Sequence, residues 1–193
     1  MNVCVFGAAS SEIDYKYIKA AELLCEALAE KGHNLVFGAG GRGLMGAAAR
    51  GFKAGGAKIT GVVPGFFKEL NIEALFDGCD EIIYTDTMRE RKAIMEDKAD
   101  AFIVMPGGIG TFEEMFEILT LKQLGRHKKP IAVFNIDGYY DAMEKMLNYS
   151  VKENFIYESC KELYEYISNA DDLIDYIEKN NKLDYSVNDM KNG

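Results

Sequence analysis

Three short segments carry most of the chemistry available to this sequence. Pro106-Gly107-Gly108-Ile109-Gly110-Thr111 follows an apolar run and leads into Phe112-Glu113-Glu114. Its glycines leave main-chain amides unshielded and Thr111 adds a hydroxyl as a helix begins, a combination suited to holding phosphate. Glu114 has two readings. As the last member of a T-x-x-E capping box it would bond the Thr111 backbone and contribute about 1 kcal/mol. As a free carboxylate it could orient water or stabilise positive charge on a reacting carbon.

The second segment, Gly38-Ala39-Gly40-Gly41-Arg42-Gly43-Leu44-Met45-Gly46, contains a literal GxGxxG at Gly38, Gly40 and Gly43. A dinucleotide site would need a ribose-binding acid about 20 residues later. No Asp or Glu stands between Gly43 and Glu69, which argues against NAD or FAD. The loop retains a close-approach backbone and helix-terminal amides for an anion, or is simply a tight turn with Gly46 packing closely. The third segment, Met88-Arg89-Glu90-Arg91-Lys92, offers complementary charge. It reads either as a solvated helix face or as a source of phosphate contacts from Arg89, Arg91 or Lys92.

The elements that position these segments alternate. Short β-type runs at 2–6, 34–37, 58–63, 81–84, 101–105 and 131–134 are separated by helical patterns at 15–31, 44–54, 88–98, 111–124, 140–153 and 171–179, with a weaker strand at 162–167. In the first helix Ile18, Ala21, Leu24, Cys25 and Leu28 recur at three- and four-residue spacing, and Gly32 stops it. Near-continuous apolar strands such as 101–105 imply burial on both faces. The predicted fold is α/β: a Rossmann-like, doubly wound, mostly parallel sheet with helices on both faces, as one domain over 1–180 and a polar tail over 181–193. In such sheets ligands bind beyond the carboxyl ends of the strands, where all three segments would gather.

Composition excludes several classes. A net charge of −9 provides no general basic field for nucleic acid or anionic lipid. No apolar run approaches the roughly 20 residues of a membrane helix. The N-terminus lacks a basic leader, so a cytoplasmic protein is expected. Cys4, Cys25, Cys79 and Cys160 form no CxxC pair and read as reduced, mostly buried thiols. With only His33 and His127 present, a histidine-based metal site has little support.

Pro106 to Glu114 resembles the PGGxGTxxE signature of the Lonely Guy family, cytokinin riboside 5′-monophosphate phosphoribohydrolases. The resemblance spans nearly the whole chain. Val5-Phe6-Gly7-Ala8-Ala9-Ser10, Gly40 to Gly46, Met88 to Lys92, Gln123-Leu124-Gly125 and Asp137-Gly138-Tyr139-Tyr140 occur in family order. It implies hydrolysis of the N-glycosidic bond of a nucleoside 5′-monophosphate, AMP or N6-prenyl-AMP, with no cofactor and no metal. Arg91 and Glu114 match the catalytic pair. The implied substrate contacts are Ser10, Gly40, Gly41, Met88, Arg91, Lys92, Gly107, Gly108, Ile109, Gly110, Thr111, Glu114 and Thr120, with Glu69 a looser match to an acid of the same pocket. Family members assemble at least as dimers, so a homodimer is implied, the helix after the glycine loop contributing Phe112, Met115, Phe116, Ile118 and Leu119 to core or interface.

Some relatives carry a lysine decarboxylase label, but nothing in the sequence indicates a pyridoxal-phosphate site. The chain departs from the family where Gly7-Ala8-Ala9-Ser10 replaces a commonly Cys-Gly-Ser-Ser turn, where Ala39 stands for glycine, and where Arg89 stands for a frequent histidine. The rival reading is a molybdenum-cofactor carrier-like or other nucleotide-binding protein, which would use a similar cradle without turnover.

Overall fold

The computed structural model describes residues 1–69 and 74–180, with only the backbone described at 68 and 69. The expected tail at 181–193 and the side chain of Glu69 lie outside the described residues. Seven strands form one sheet: β1 (Asn2–Phe6), β2 (Asn34–Phe37), β3 (Ile59–Pro64), β4 (Glu81–Thr85), β5 (Ala101–Val104), β6 (Ile131–Phe134) and β7 (Glu165–Ile167). Their order is β4-β3-β2-β1-β5-β6-β7, and every pairing is parallel. The winding reverses between β1 and β5. Val3 pairs with Ala101 and Phe6 with Val104, so both strands release their chains side by side at this switch point.

The helices divide between two faces, as the apolar strand runs required. On one face α1 (Tyr15–Glu30), α2 (Gly43–Ala54) and α7 (Ala170–Asn180) cover Val3, Val5, Leu35 and Phe37. On the other, α4 (Met88–Lys98), α5 (Ile109–Gln123) and the border of α6 (Asp141–Lys152) cover Cys4, Phe6, Phe102 and Val104. In α1 the buried Ala21, Leu24, Cys25 and Leu28 are the predicted stripe, Asp14 accepts from the Lys16 amide at the start, and Gly32 leaves with φ 83°.

Three details differ from the sequence expectation. A five-residue helix, α3 (Gly65–Glu69), follows β3, and a 3-10 turn over Glu158–Leu163 shortens the expected strand at 162–167 to β7. α5 begins at Ile109, two residues before the expected start at 111, because Gly108 is its N-cap and its carbonyl accepts from the Phe112 amide at 3.0 Å. Thr111 therefore lies inside the first turn. A T-x-x-E capping box cannot form there, and Glu114 is released from the backbone role.

The cysteines are free thiols, Cys4, Cys25 and Cys160 buried and Cys79 half-buried. His33 meets Glu178 at 2.8 Å. His127 donates to the Ile118 carbonyl and accepts from the Lys129 amide, and burial holds its pKa down at about 4. Both histidines are structural. No group of His, Cys, Asp and Glu able to hold a metal occurs among the described residues, and no helix among them is long and apolar enough to cross a membrane.

Candidate active site

The chain leaves β5 through Met105, Pro106 and Gly107, and the carbonyls of all three residues are engaged. Met105 accepts from the Tyr140 hydroxyl at 2.7 Å, Pro106 from the Ala8 amide at 3.1 Å, and Gly107 from the Tyr139 hydroxyl at 2.6 Å. The amides that follow belong to the first turn of α5, whose N–H groups have no intrahelical acceptor. Among the described residues no backbone acceptor meets the amides of Gly108, Ile109, Gly110 or Thr111. They form a cradle for an anion at the switch point, favoured by the α5 dipole. Ile109 contributes there only through its backbone, since its side chain is 86% exposed.

Above the cradle a cleft of about 380 Å³ is lined by the Gly7–Ser10 turn, Gly108, Gly110, Thr111, Met45, Phe67, Arg91 and Glu114. Arg91 is the inward-facing base of α4. Its Nε donates to the Val62 carbonyl at 3.2 Å and its Nη1 to Glu114 at 3.3 Å, and the residue is 5% exposed. Glu114, one turn into α5, is nearly buried. Burial pushes its carboxyl up to about 7 against the opposing pull of Arg91, so near neutrality it can hold or release a proton. A buried ion pair contributes little net stability, because desolvation offsets attraction. Its position beside the helix-terminal amides of α5 points to chemistry instead.

The other bases of the third segment turn elsewhere. Arg89 and Met88 are exposed, and Lys92 lies between α4 and α5, paired with Glu113 and with Glu117 at 2.7 Å. Glu90 bonds the Asp86 amide while Thr87 accepts from the Glu90 amide, so the reciprocal cap of this region sits at the start of α4.

Two donors of the first glycine loop are used internally. The Gly41 amide donates to Ala74 at 2.7 Å, Gly40 pairs with Leu75, and the Leu44 amide at the head of α2 donates to Ala8 at 2.8 Å. Gly43 takes φ 57°, and a Cβ there would stand 2.3 Å from the Ala8 carbonyl. The loop is a tight turn that presses the Gly7–Ser10 turn toward the cradle. Gly40 and Gly41 do not line the cleft.

Thr120 is also apart from it. Its hydroxyl donates to the Phe116 carbonyl, and it lies in a groove of about 240 Å³ between α5, α6 and the 3-10 turn, lined by Phe116, Leu119, Phe155 and Tyr157. That groove contains no carboxylate among the described residues.

Sequence reasoning missed five contributors. Gly38 leaves the space Arg91 fills, Phe67 and Met45 form an apolar wall, and Tyr139 and Tyr140 brace the cradle from beneath. The Asp137-Gly138-Tyr139-Tyr140 block was visible in the sequence, but nothing local assigned it a task.

The family model described as "Possible lysine decarboxylase" matches residues 45–177. The chain is 37% identical over 177 residues to the cytokinin riboside 5′-monophosphate phosphoribohydrolase LOG2 of Arabidopsis thaliana, covering 92% of this chain and 82% of that protein. To the rice (Oryza sativa subsp. japonica) enzyme LOG it is 36% identical over 172 residues, covering 89% and 70%. Among solved structures, the molybdenum cofactor carrier protein of Chlamydomonas reinhardtii superimposes with TM-score 0.70 at 19% identity, over 93% of this chain and 96% of that one. The molybdenum cofactor binding protein of Rippkaea orientalis gives TM-score 0.66 at 21% identity, over 92% and 94%. These two likenesses establish the shared fold.

Proposed function

The chain belongs to the Lonely Guy family of cytokinin riboside 5′-monophosphate phosphoribohydrolases, and on that premise we propose that it hydrolyses the N-glycosidic bond of AMP or an N6-substituted AMP. The observation that carries this reading is the Arg91–Glu114 pair standing beside a row of amides that meets no backbone acceptor among the described residues. The phosphate rests on the amides of Gly108 to Thr111, with the Thr111 and Ser10 hydroxyls alongside. The sugar lies over Glu114, and Met45 and Phe67 offer the base an apolar surface.

Cleavage of the C1′–N9 bond leaves its electron pair on the base and positive charge on the sugar. The Glu114 carboxylate faces that charge and removes a proton from the water attacking C1′. The base leaves protonated by solvent, and the products are free base and ribose 5-phosphate. Arg91 aims the carboxylate and favours its ionised form. Of the remaining expected contacts, Lys92, Met88 and Thr120 lie outside the cleft of a single chain.

A homodimer accords with the apolar groove along α5, where Phe116, Phe155 and Tyr157 are 37%, 85% and 59% exposed. A cytoplasmic setting accords with four free thiols and a nucleotide substrate. The test is to incubate purified protein with AMP, GMP, CMP and N6-prenyl-AMP and measure released base. Free adenine or its prenyl derivative is the expected product. Nucleotide binding without release would return the chain to the carrier class.

A further inference from the structure

The chain entering the cradle is held by a residue that does not line the cleft, Tyr139. The carbonyl and the N–H of one trans peptide point in opposite directions, and the described chain has no cis peptide. In the peptide joining Gly107 to Gly108, the carbonyl is held by the Tyr139 hydroxyl at 2.6 Å. The N–H on its other side is Gly108's, and Gly108 lines the cleft that contains Arg91 and Glu114. With glycine on both sides, this peptide has little intrinsic preference for one orientation.

Tyr139 is well mounted for this task. It stands edge-on to Tyr140 with ring centroids 4.9 Å apart and to Tyr17 at 6.2 Å. The turn before it is fixed by Asn135, which donates to Asp141 at 2.8 Å and accepts from the Tyr140 amide at 2.7 Å. Lys16 of α1 closes over the same turn through an ion pair with Asp137. The ring also forms the wall of a separate cavity of about 210 Å³ on the α1 side, which shares Gly108 with the cleft.

We propose that Tyr139 is a positioning residue for phosphate: its hydroxyl fixes the Gly107–Gly108 peptide so that the Gly108 amide faces the cleft. The inference rests on the nucleotide reading above and adds the residue that sets preference for a 5′-phosphate. Tyr139→Phe takes the donor from the carbonyl of Gly107, a buried residue, but keeps the ring contacts with Tyr140 and Tyr17 at a position 41% exposed, so the fold survives.

The experiment compares wild type with Tyr139→Phe, using Tyr149→Phe as a remote control. Calorimetry measures ribose 5-phosphate affinity, and kinetics measures kcat and KM for AMP and adenosine. Loss of one orienting hydrogen bond predicts about a fivefold to tenfold weaker ribose 5-phosphate Kd, a matching rise in KM for AMP, and a fall in AMP-over-adenosine preference by that factor. Unchanged ribose 5-phosphate affinity overturns the proposal, as does equal loss on AMP and adenosine. A wild-type protein that binds ribose 5-phosphate in a Tyr139-dependent way yet cleaves no nucleotide would support the positioning role and sink the hydrolase reading.

Discussion

A methyl group built on Gly38 would stand 1.8 Å from Nη2 of Arg91. The guanidinium thus occupies the volume that any other side chain at the end of β2 would take. Gly38→Ala must displace Arg91 from the Val62 carbonyl and from Glu114. The expected result is a folded protein whose kcat/KM for AMP falls by about 10²-fold, a size typical of misplacing one catalytic group. Near-wild-type turnover with intact folding would remove Arg91 from the reaction.

Arg91 contacts Val62 and Glu114 through different nitrogens of one planar group. Lysine supplies a single ammonium and cannot hold both at once. Arg91→Lys should therefore lose about 10-fold or more in kcat with the charge preserved, measured alongside a thermal melt.

Glu114→Gln keeps the shape of the carboxyl and removes its charge. Turnover of AMP should fall by about 10²- to 10⁴-fold, equivalent to roughly 3 to 5.5 kcal/mol of barrier. The wild-type kcat should rise with pH up to about 7, where the carboxyl releases its proton. This limb should vanish from the residual activity of the Gln variant. The substrate phosphate ionises near pH 6, so a limb that persists in the variant would belong to it.

The same proton affects stability. Folding raises the Glu114 pKa from 4.5 to about 7, so between these values the folded chain keeps a proton the unfolded chain has released. Stability from this group is complete below pH 4.5 and declines as pH rises through 7, by at most ~3 kcal/mol. Melting temperatures of wild type and Glu114→Gln, compared from pH 5 to 8, should shift in favour of the variant up to about pH 7 and then level off. A constant difference would place the pKa elsewhere.

Ala39 occupies φ 62°, a left-handed conformation that favours glycine, and it is fully buried. Its methyl fits because Gly61 lies opposite: a Cβ on Gly61 would stand 2.7 Å from it. Gly61→Ala should destabilise by about 1–3 kcal/mol through overpacking. Adding Ala39→Gly should recover most of that loss, a coupling measurable by denaturant unfolding of all four proteins.

The fold was legible because its strands are apolar runs and its first helix has a regular stripe, both written in local order. α3 was not, being only five residues long. The candidate site was legible where one segment carries its own chemistry, as Gly107 to Glu114 does. The choice of Arg91 over Arg89 and Lys92 depends on where the Val62 carbonyl and bare Gly38 lie, which neighbouring residues do not encode. The tyrosines escaped notice for the same reason, since their acceptors lie 32 and 35 positions away. That Ala74 takes the Gly41 donor and Ala8 the Leu44 donor was equally hidden, since only tertiary structure places them there.

The switch point between β1 and β5 has a bearing on how this protein could be divided. The arginine is furnished by the chain that builds the β4–β1 side of the sheet and the acid by the chain that builds the other. A fragment ending at α4 would hold the cation without its counterpart, and the remainder would hold the reverse. Recovered turnover after mixing or refolding such pieces would therefore report that the two halves had closed along this seam, something spectra of secondary structure alone would not distinguish.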